Sequence, residues 1–329
     1  MEKGAVCIIG AGISGLTCAR NLADRGYPVT VFEKSRGVGG RMSTRRTDDG
    51  TLFDHGAPYF TVQGERFRSQ VERWIDDGVV VPWEVNIVEL YQGRADKEGR
   101  PVERFVAVPG MNGICHSLAQ GLDVRFNTTV APPERDGDGW LIRDQDGGEL
   151  GRFQAVLISA PAPQTTALLK AAPLLVKRAE RVRMAPSWAV MAAFQEPLGP
   201  AYDAAFIHQS PLTWIAKNSG KPGRPTSPET WVLQATPAWT AEQIEKEPSR
   251  VTRRLLEAFR EATGCGSAEP SFSTAHLWRY AVPPEPHPGP FMLDEKLRIG
   301  ACGDWCGGPR VEGAFLSGAL LAERLCELA

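Results

Sequence analysis

The sequence predicts an α/β protein in two domains, one built around a β-α-β unit and a second of mixed α+β character. The opening residues alternate an apolar run (5–9), a glycine-rich turn, a helix-like run (13–24) and a second apolar run (29–32), the order of a β-α-β unit. The 329 residues exceed one ordinary domain of roughly 100–200 residues. Between residues 163 and 279, prolines punctuate the chain and tryptophans become frequent, which indicates a second domain.

Short apolar runs separated by polar or glycine-rich turns predict the remaining strands. These expected strands are residues 105–108, 124–126, 140–142, 155–159, 231–234 and 297–301. Helices are expected at residues 241–263 and 312–328, the second with leucines along one face. We expect the first domain to comprise residues 1–70, 100–162 and 280–329, and the second to comprise residues 71–99 and 163–279.

Composition narrows the class of protein. Hydrophobic residues make up 42% and charged residues 23% of the chain, as in ordinary globular proteins. A formal net charge of -2 gives no field to attract a nucleic-acid backbone. No apolar run approaches the roughly 18 residues that a membrane span requires. Seven scattered cysteines and no export signal lead us to expect a cytoplasmic protein with reduced thiols.

The first motif lies directly after the first strand, where Gly10, Gly12 and Gly15 form a GxGxxG turn. In such turns the first glycine permits the tight bend, the second lets a pyrophosphate approach the backbone, and the third lets helix and strand pack closely. Glu33 ends the second strand, where a carboxylate accepts hydrogen bonds from a ribose diol and repels a 2′-phosphate. The motif predicts a Rossmann-like dinucleotide site that disfavours NADP; the alternative is a chance glycine-rich loop.

A second glycine turn follows at residues 37–42 and decides between NAD and FAD. A nicotinamide-binding Rossmann domain needs no further glycine turn and cation here, whereas the longer FAD must be held beyond its pyrophosphate. Arg41, together with Arg36, is a candidate to neutralise phosphate charge while Gly39 and Gly40 let the backbone pass close to the ligand. The alternative is a surface loop with a solvated arginine.

The third motif lies near the end of the sequence and again reads strand, turn, helix. Asp304 follows the expected strand, where it is placed to bond ribityl or ribose hydroxyls. The helix beginning near Glu312 is placed to aim its amides at the N1/C2 edge of a flavin and stabilise the anionic reduced form. Two glycine-rich helix starts far apart in sequence are explained if they hold one long cofactor.

Taken together, these motifs resemble the flavin amine oxidase superfamily, and within it most closely the renalases of bacterial type. The resemblance is carried by GGRM at 39–42, the segment 53–60 (FDHGAPYF), Trp-Arg-Tyr at 278–280, and the terminal GDW and EGA. It implies a Rossmann-like FAD-binding domain of the p-hydroxybenzoate hydroxylase/amine oxidase type with a mixed α+β substrate domain. The flavin-binding parts are shared across the superfamily, whereas segments 53–60 and 278–280 are specific to renalases.

The resemblance also implies an activity. Renalases oxidise the 2- and 6-dihydro isomers of NAD(P)H to NAD(P)⁺; flavin N5 accepts the hydride, and dioxygen regenerates the flavin with release of hydrogen peroxide. Such a reaction mainly requires two rings to be held in contact, so we assign no catalytic side chain. In covalent amine oxidases a cysteine upstream of the terminal motif carries the flavin, and residues 266–301 contain none. We therefore expect non-covalent FAD.

Site residues follow from the motifs and the resemblance. The residues expected to contact FAD are Gly10, Gly12, Ile13, Ser14, Gly15, Glu33, Lys34, Gly40, Arg41, Met42, Ala57, Pro58, Tyr59, Val130, Asp304, Val311, Glu312, Gly313 and Ala314. The residues expected to contact substrate are Tyr59, Trp278 and Trp305 as ring-stacking groups, and Lys217 and Lys221 in a basic loop suited to phosphates. The histidines show no paired spacing for a metal, so no metal site is expected.

Three functions stay open from the sequence. The first is the oxidation of isomeric dihydronicotinamide dinucleotides, favoured by the renalase-like segments and by the absence of a second GxGxxG for a separate pyridine-nucleotide domain. The second is an amine or carotenoid-type flavin oxidase of the same superfamily. The third is a non-catalytic FAD-binding regulatory protein. For either enzyme the partners are a small molecule and O₂, without nucleic acid or membrane, and the oligomeric state is left open.

Overall fold

A computed structural model describes residues 3–91, 94–97 and 102–328. The helices are α1 (Ile13–Ala23), α2 (Glu65–Asp76), α3 (Gly113–Ala119), α4 (Ala162–Leu168), α5 (Pro173–Ala179), α6 (Pro237–Glu242), α7 (Pro248–Thr263), α8 (Asp304–Gly307) and α9 (Val311–Glu327), with 3₁₀ turns at Gly40–Met42 and Asn218–Gly220. The strands of the amino-terminal half are β1 (Val6–Ile9), β2 (Val29–Phe32), β3 (Arg45–Arg46), β4 (Leu52–Phe53), β5 (Val80–Pro82), β6 (Ile87–Tyr91), β7 (Arg94–Lys97), β8 (Phe105–Ala107), β9 (Asp123–Arg125), β10 (Glu134–Asp136), β11 (Gly139–Arg143), β12 (Glu149–Phe153) and β13 (Ala155–Ile158). Those that follow are β14 (Ala185–Phe194), β15 (Ala204–His208), β16 (Leu212–Lys217), β17 (Glu229–Ala235), β18 (Phe272–Val282), β19 (Met292–Asp294) and β20 (Ile299–Ala301).

A six-stranded sheet carries the predicted β-α-β unit. Its order is β19-β20-β13-β1-β2-β9, parallel except for the edge strand β19. The central strands β1 and β13 are buried along their whole length, as expected for parallel strands covered on both faces. The strands expected near residues 5–9, 29–32, 124–126, 155–159 and 297–301 all lie in this sheet, which confirms the α/β class.

A seven-stranded sheet forms the second layer. Its order is β18-β14-β17-β16-β15-β6-β7, antiparallel except where β15 runs beside β6. Helix α7 packs on one face of this sheet, where Trp231 contacts Phe259 with ring centroids 5.3 Å apart. Because the side chains of a strand alternate between faces, the opposite face is free to meet the first domain.

The register of the seven-stranded sheet aligns five side chains in one row across that opposite face. His276 pairs with Ala189, Ala189 with Gln234, Gln234 with Trp214, and Trp214 with Phe206. Directly paired residues of a sheet share a face, so the row presents aromatic and polar groups together. It runs beside segment 53–60, since Gln234 donates to the Gly56 carbonyl oxygen and the His276 ring meets the His55 ring.

The structure differs from two of the predicted domain bounds and from one predicted helix. Helices α4 and α5, expected in the second domain, pack in the cluster beneath the first sheet. Strand β5 pairs with β8, so residues 80–82 also lie with the first domain. The single helix expected at residues 241–263 is divided, because Pro248 begins α7 and forces Glu247 into an extended conformation (φ -60°, ψ 135°).

No helix in the described ranges is both long enough and apolar enough to cross a membrane.

Candidate functional site

The GxGxxG turn shows three different glycine environments. Gly10 has φ +108°, and a Cβ there would lie 2.6 Å from the Ser159 carbonyl oxygen. A Cβ on Gly15 would lie 2.1 Å from the Gly10 carbonyl oxygen, so this position packs helix against strand. A Cβ on Gly12 would meet nothing within 4 Å. Protein packing therefore explains two of the glycines, and the space beside Gly12 is open.

Two polar groups mark the same turn. Both Glu33 carboxylate oxygens accept backbone N–H bonds of 2.8 Å, one from Ala11 and one from Ser35, in a side chain that is 7% exposed. The Ser14 hydroxyl, in the first turn of α1, is buried beside the Cys302 thiol and makes no hydrogen bond to an oxygen or nitrogen of the described residues. Buried polar groups are rarely left unpaired. The first turn of α1 thus fits an anionic ligand such as the FAD pyrophosphate, with Ser14 as a donor.

The second glycine turn docks onto the first. The Gly39 amide donates to the Ala11 carbonyl oxygen at 2.9 Å, and a Cβ on Gly40 would lie 3.6 Å from the Gly12 Cα. Both glycines have positive φ, +122° and +53°, which few other residues adopt. The two motifs predicted to hold one cofactor therefore form a single backbone surface.

The terminal motif joins this surface. Arg41 donates through both terminal nitrogens to the two Asp304 carboxylate oxygens, at 2.7 and 2.6 Å. A Cβ on Gly318 of α9 would lie 2.0 Å from the Ser14 carbonyl oxygen, so α9 crosses α1 at very close range. The structure thus brings the terminal motif against the second glycine turn and packs the middle of α9 on the first turn of α1. The Glu312 carboxylate does not contact the Arg41–Asp304 pair. It accepts hydrogen bonds from the backbone amides of Gln63 and Gly64 at 2.8 and 2.7 Å.

Three consecutive residues after Asp54 are each fixed by a hydrogen bond from a different part of the chain. The Trp278 indole N–H donates to the His55 carbonyl oxygen at 2.8 Å. The Gln234 amide donates to the Gly56 carbonyl oxygen at 2.6 Å. The amide of the next residue, 57, donates to the carbonyl oxygen of residue 41 at 2.8 Å. Residues 56–59 are partly exposed between buried neighbours on both sides; we call the accessible space that they border the cleft.

Two histidines that the sequence reasoning did not assign lie beside Trp278. The His55 ring is stacked with the Trp278 ring at 5.1 Å, and the His276 ring meets His55 edge-on at 5.0 Å. Burial, with the neighbouring His276, lowers the pKa of His55 to about 4. Burial and Arg45 lower the pKa of His276 as well. Both imidazoles are therefore neutral at pH 7. Only the alternation of β18 could have indicated that His276 and Trp278 share a face.

Tyr59 belongs to an aromatic wall. Its ring lies 5.9 Å from that of Trp83 and 5.4 Å from that of Trp214, and Trp214 in turn lies 4.7 Å from Phe206. The Arg104 guanidinium carbon lies 5.2 Å from the centre of the Tyr59 ring. Segment 53–60 of the first domain and the inner face of the second sheet thus form a wall suited to a flat ring.

Two predicted substrate contacts are wrong. Trp305 is 0% exposed and donates its indole N–H to the Ala160 carbonyl oxygen at 2.9 Å, so it is a core residue. The Lys221 side chain is 1% exposed and lies 3.1 Å from an Asp54 carboxylate oxygen, so the basic loop turns its charge inward. The Lys217 ammonium lies 3.3 Å from Glu229, and its substrate role stays a prediction. The sequence pattern of scattered cations could not distinguish a solvated loop from a buried one.

The other predicted FAD contacts also stay predictions. Lys34 is exposed beyond β2, while Met42 and Val130 are buried. Val130 follows residues 127 and 128, which donate to the backbone around Glu33 at 3.0 Å. Within the described ranges, no group of three or more His, Cys, Asp or Glu could hold a metal ion.

Comparisons with known proteins agree with this geometry. A family model described as flavin containing amine oxidoreductase matches residues 84–326, and one described as an NAD(P)-binding Rossmann-like domain matches residues 8–76. The 4,4′-diapophytoene desaturase (4,4′-diaponeurosporene-forming) of Staphylococcus aureus strain Newman is 34% identical over 108 residues, covering 26% of this chain and 21% of the desaturase. The match therefore spans about a fifth of that relative's length.

Solved structures of similar fold cover 99% of this chain and 99% of their own. They are an Exiguobacterium sp. 255-15 protein provisionally named protoporphyrinogen oxidase (TM-score 0.80, 12% identity), cyclohexylamine oxidase from Brevibacterium oxydans IH-35A (0.76, 15%) and a putrescine oxidase bound to putrescine (0.72, 13%). At these identities the likeness concerns the fold alone. The family model, however, matches most of the chain, and its flavin agrees with the cofactor predicted from the motifs. The chain belongs to the flavin containing amine oxidoreductase family and is an FAD-dependent oxidoreductase.

Proposed function

We propose that this enzyme oxidises the 2- or 6-dihydro isomers of NAD(P)H to NAD(P)⁺, with O₂ as the final acceptor and hydrogen peroxide as the second product. The observation that carries the proposal is the contact between the two renalase-like segments. Trp278 of one segment stacks on His55 of the other and donates to its carbonyl oxygen. The two segments on which the resemblance to renalases rests are thus in direct contact.

The proposed roles of the side chains are to bind and orient. Bound FAD supplies the hydride acceptor, and we propose that the residues assigned from the glycine-rich motifs hold it without a covalent bond. Tyr59 and Trp278 present ring faces to a flat substrate. Loss of hydride leaves the nicotinamide ring cationic; the neutral His55 and His276 do not repel this product, and aromatic faces attract it. No general base is needed, because the dihydro ring is already a hydride donor.

Acid precipitation tests the mode of FAD attachment. Residues 266–301 contain no cysteine, so we expect trichloroacetic acid to pellet a colourless protein and leave all the yellow flavin in the supernatant. Absorbance of the two fractions near 450 nm (about the usual flavin band) measures the partition. Colour that stays in the pellet would contradict non-covalent binding.

Anaerobic mixing tests the substrate. A stoichiometric amount of 6-dihydro-NAD or 2-dihydro-NAD is expected to bleach the flavin within the mixing experiment, and admission of air should release one hydrogen peroxide per dinucleotide oxidised. Ordinary 4-dihydro-NAD is the matched control, since it has the same charge and binding groups but carries its hydride at another ring position. We expect it to bleach the flavin at least about 100-fold more slowly, because a misplaced reacting atom costs a factor of that order.

The same measurement decides the alternative. The desaturase match and the amine oxidase structures favour an amine or a polyene as the second candidate class. A flavin that is bleached by either of these and not by the dihydro isomers would replace our proposal with that class. A protein that retains FAD and is reduced by none of them would contradict both candidates.

A further inference from the structure

The buried charges on the basic loop form a cluster that the proposed reaction does not use. We call the Asp54 carboxylate, the Lys221 ammonium and the Arg224 guanidinium the Asp54 cluster. Lys221 and Arg224 donate to the same carboxylate oxygen at 3.1 and 2.7 Å, and all three side chains are at most 1% exposed. Thr44 and the Met111 amide donate to the other oxygen at 2.7 and 2.9 Å. The cluster joins the basic loop of the second domain to the first.

The cluster holds more positive than negative charge. One carboxylate faces two cations, although burying a charge is costly unless it is fully paired. Burial and Arg224 lower the pKa of Lys221 to about 8, against the opposing attraction of Asp54. At pH 7 Lys221 is therefore still an ammonium ion. Arg224 makes the shorter of the two bonds to the shared Asp54 oxygen, so Lys221 is the more weakly bound of the two cations.

The Lys221 ammonium has another neighbour. It lies 5.6 Å from the centre of the Trp83 ring, within the range of a cation–π contact. Trp83 is 4% exposed, and its ring is one of the two indoles beside Tyr59. A buried ammonium, a buried indole and the partly exposed Tyr59 thus follow one another from the core to the cleft.

We propose that Lys221 is a positioning residue for Tyr59: held by Asp54, its ammonium group fixes the Trp83 indole against which the Tyr59 ring rests. The basic loop thus fixes the position of the aromatic wall from its buried side and does not bind substrate directly. The role concerns whichever flat small molecule the enzyme oxidises. It assumes that Tyr59 lines the site, and not that the substrate is a dihydronicotinamide.

The test is a double-mutant cycle on Lys221 and Trp83. Lys221→Met keeps the Asp54–Arg224 pair and removes the cation over the indole, while Trp83→Leu removes the indole. Each is expected to raise the KM of the best available substrate about 5- to 10-fold, the equivalent of one lost aromatic contact, with a smaller change in kcat per bound FAD. The visible circular dichroism of the flavin should change alongside. The double variant should be no worse than Trp83→Leu, because both changes act on one contact.

Lys246→Met, on an exposed lysine, is the matched control and should leave KM and the dichroism unchanged. A Lys221→Met enzyme that melts earlier but keeps wild-type KM and dichroism would reduce Lys221 to a structural role and overturn the proposal. Multiplicative effects in the double variant would also overturn it. If Lys221→Met does not bind FAD, Trp83→Leu tests the proposal by itself. A wild-type KM in Trp83→Leu would show that the indole does not position Tyr59 and would overturn the proposal. None of these outcomes depends on which substrate class is correct.

Discussion

Gly12→Ala is expected to give a folded protein that has lost most of its affinity for FAD. The added methyl group meets no protein atom within 4 Å, so the polypeptide has room for it. A pyrophosphate lying against the backbone of this turn would collide with the methyl group. Overpacking of this kind costs about 1–3 kcal/mol, which corresponds to a Kd for FAD about 5- to 150-fold higher. Titration of the apoprotein with FAD, followed by quenching of flavin fluorescence, measures the change.

Two other glycines make the comparison specific. Gly37 also has open space where a methyl group would be added, and it is not assigned to the ligand, so Gly37→Ala should keep wild-type affinity. Gly15→Ala places a methyl group 2.1 Å from the Gly10 carbonyl oxygen and should lower the melting temperature of the apoprotein itself. If Gly12→Ala bound FAD like wild type, the cofactor would not pass over Gly12.

The parts of the fold predicted well are those with local signals. The β-α-β unit is predicted to within about two residues (the usual uncertainty of element bounds), because the glycines, the helix and the apolar strands are neighbours in sequence. The sequence links Arg41 and Asp304 only through a shared ligand, yet the structure shows a direct ion pair between them. The local motifs thus predict a cofactor site, and the ion pair joins the terminal motif to the second glycine turn.

The parts predicted poorly depend on distant partners. Lys221 lies in a glycine-rich loop, where a lysine is usually solvated. It is buried because it pairs with the carboxylate of Asp54, which is 167 residues away in sequence. In the sequence Trp305 looks no different from a tryptophan that stacks on a ligand, and only its complete burial in the structure shows it to be core. The row across the seven-stranded sheet requires the strand order, which residue alternation alone does not give.

Asp54→Asn is expected to destabilise the protein by about 3–5 kcal/mol, the typical cost of removing one partner from a buried ion pair. The change leaves Lys221 and Arg224 as two buried cations without a counter-charge. For a chain of this size the loss corresponds to a melting temperature lower by about 10 °C, measurable by differential scanning calorimetry of the FAD-loaded enzyme. Lys221→Met added to Asp54→Asn should recover part of the loss, since one unpaired cation is then removed.

The pH dependence gives a second measurement of the same group. Burial opposes the ionisation of Asp54, but Lys221, Arg224 and the bonds to the carboxylate outweigh it and hold the pKa below its usual value. Since the folded pKa lies below the unfolded value of about 3.9, this stabilisation is fully present above pH 4 and is lost as the pH falls towards the folded pKa. Wild type should therefore lose its advantage over Asp54→Asn progressively in acid. Asp48→Asn, an exposed aspartate in the same hairpin, should follow the wild-type curve; equal curves for wild type and Asp54→Asn would mean that the Asp54 charge does not stabilise the fold.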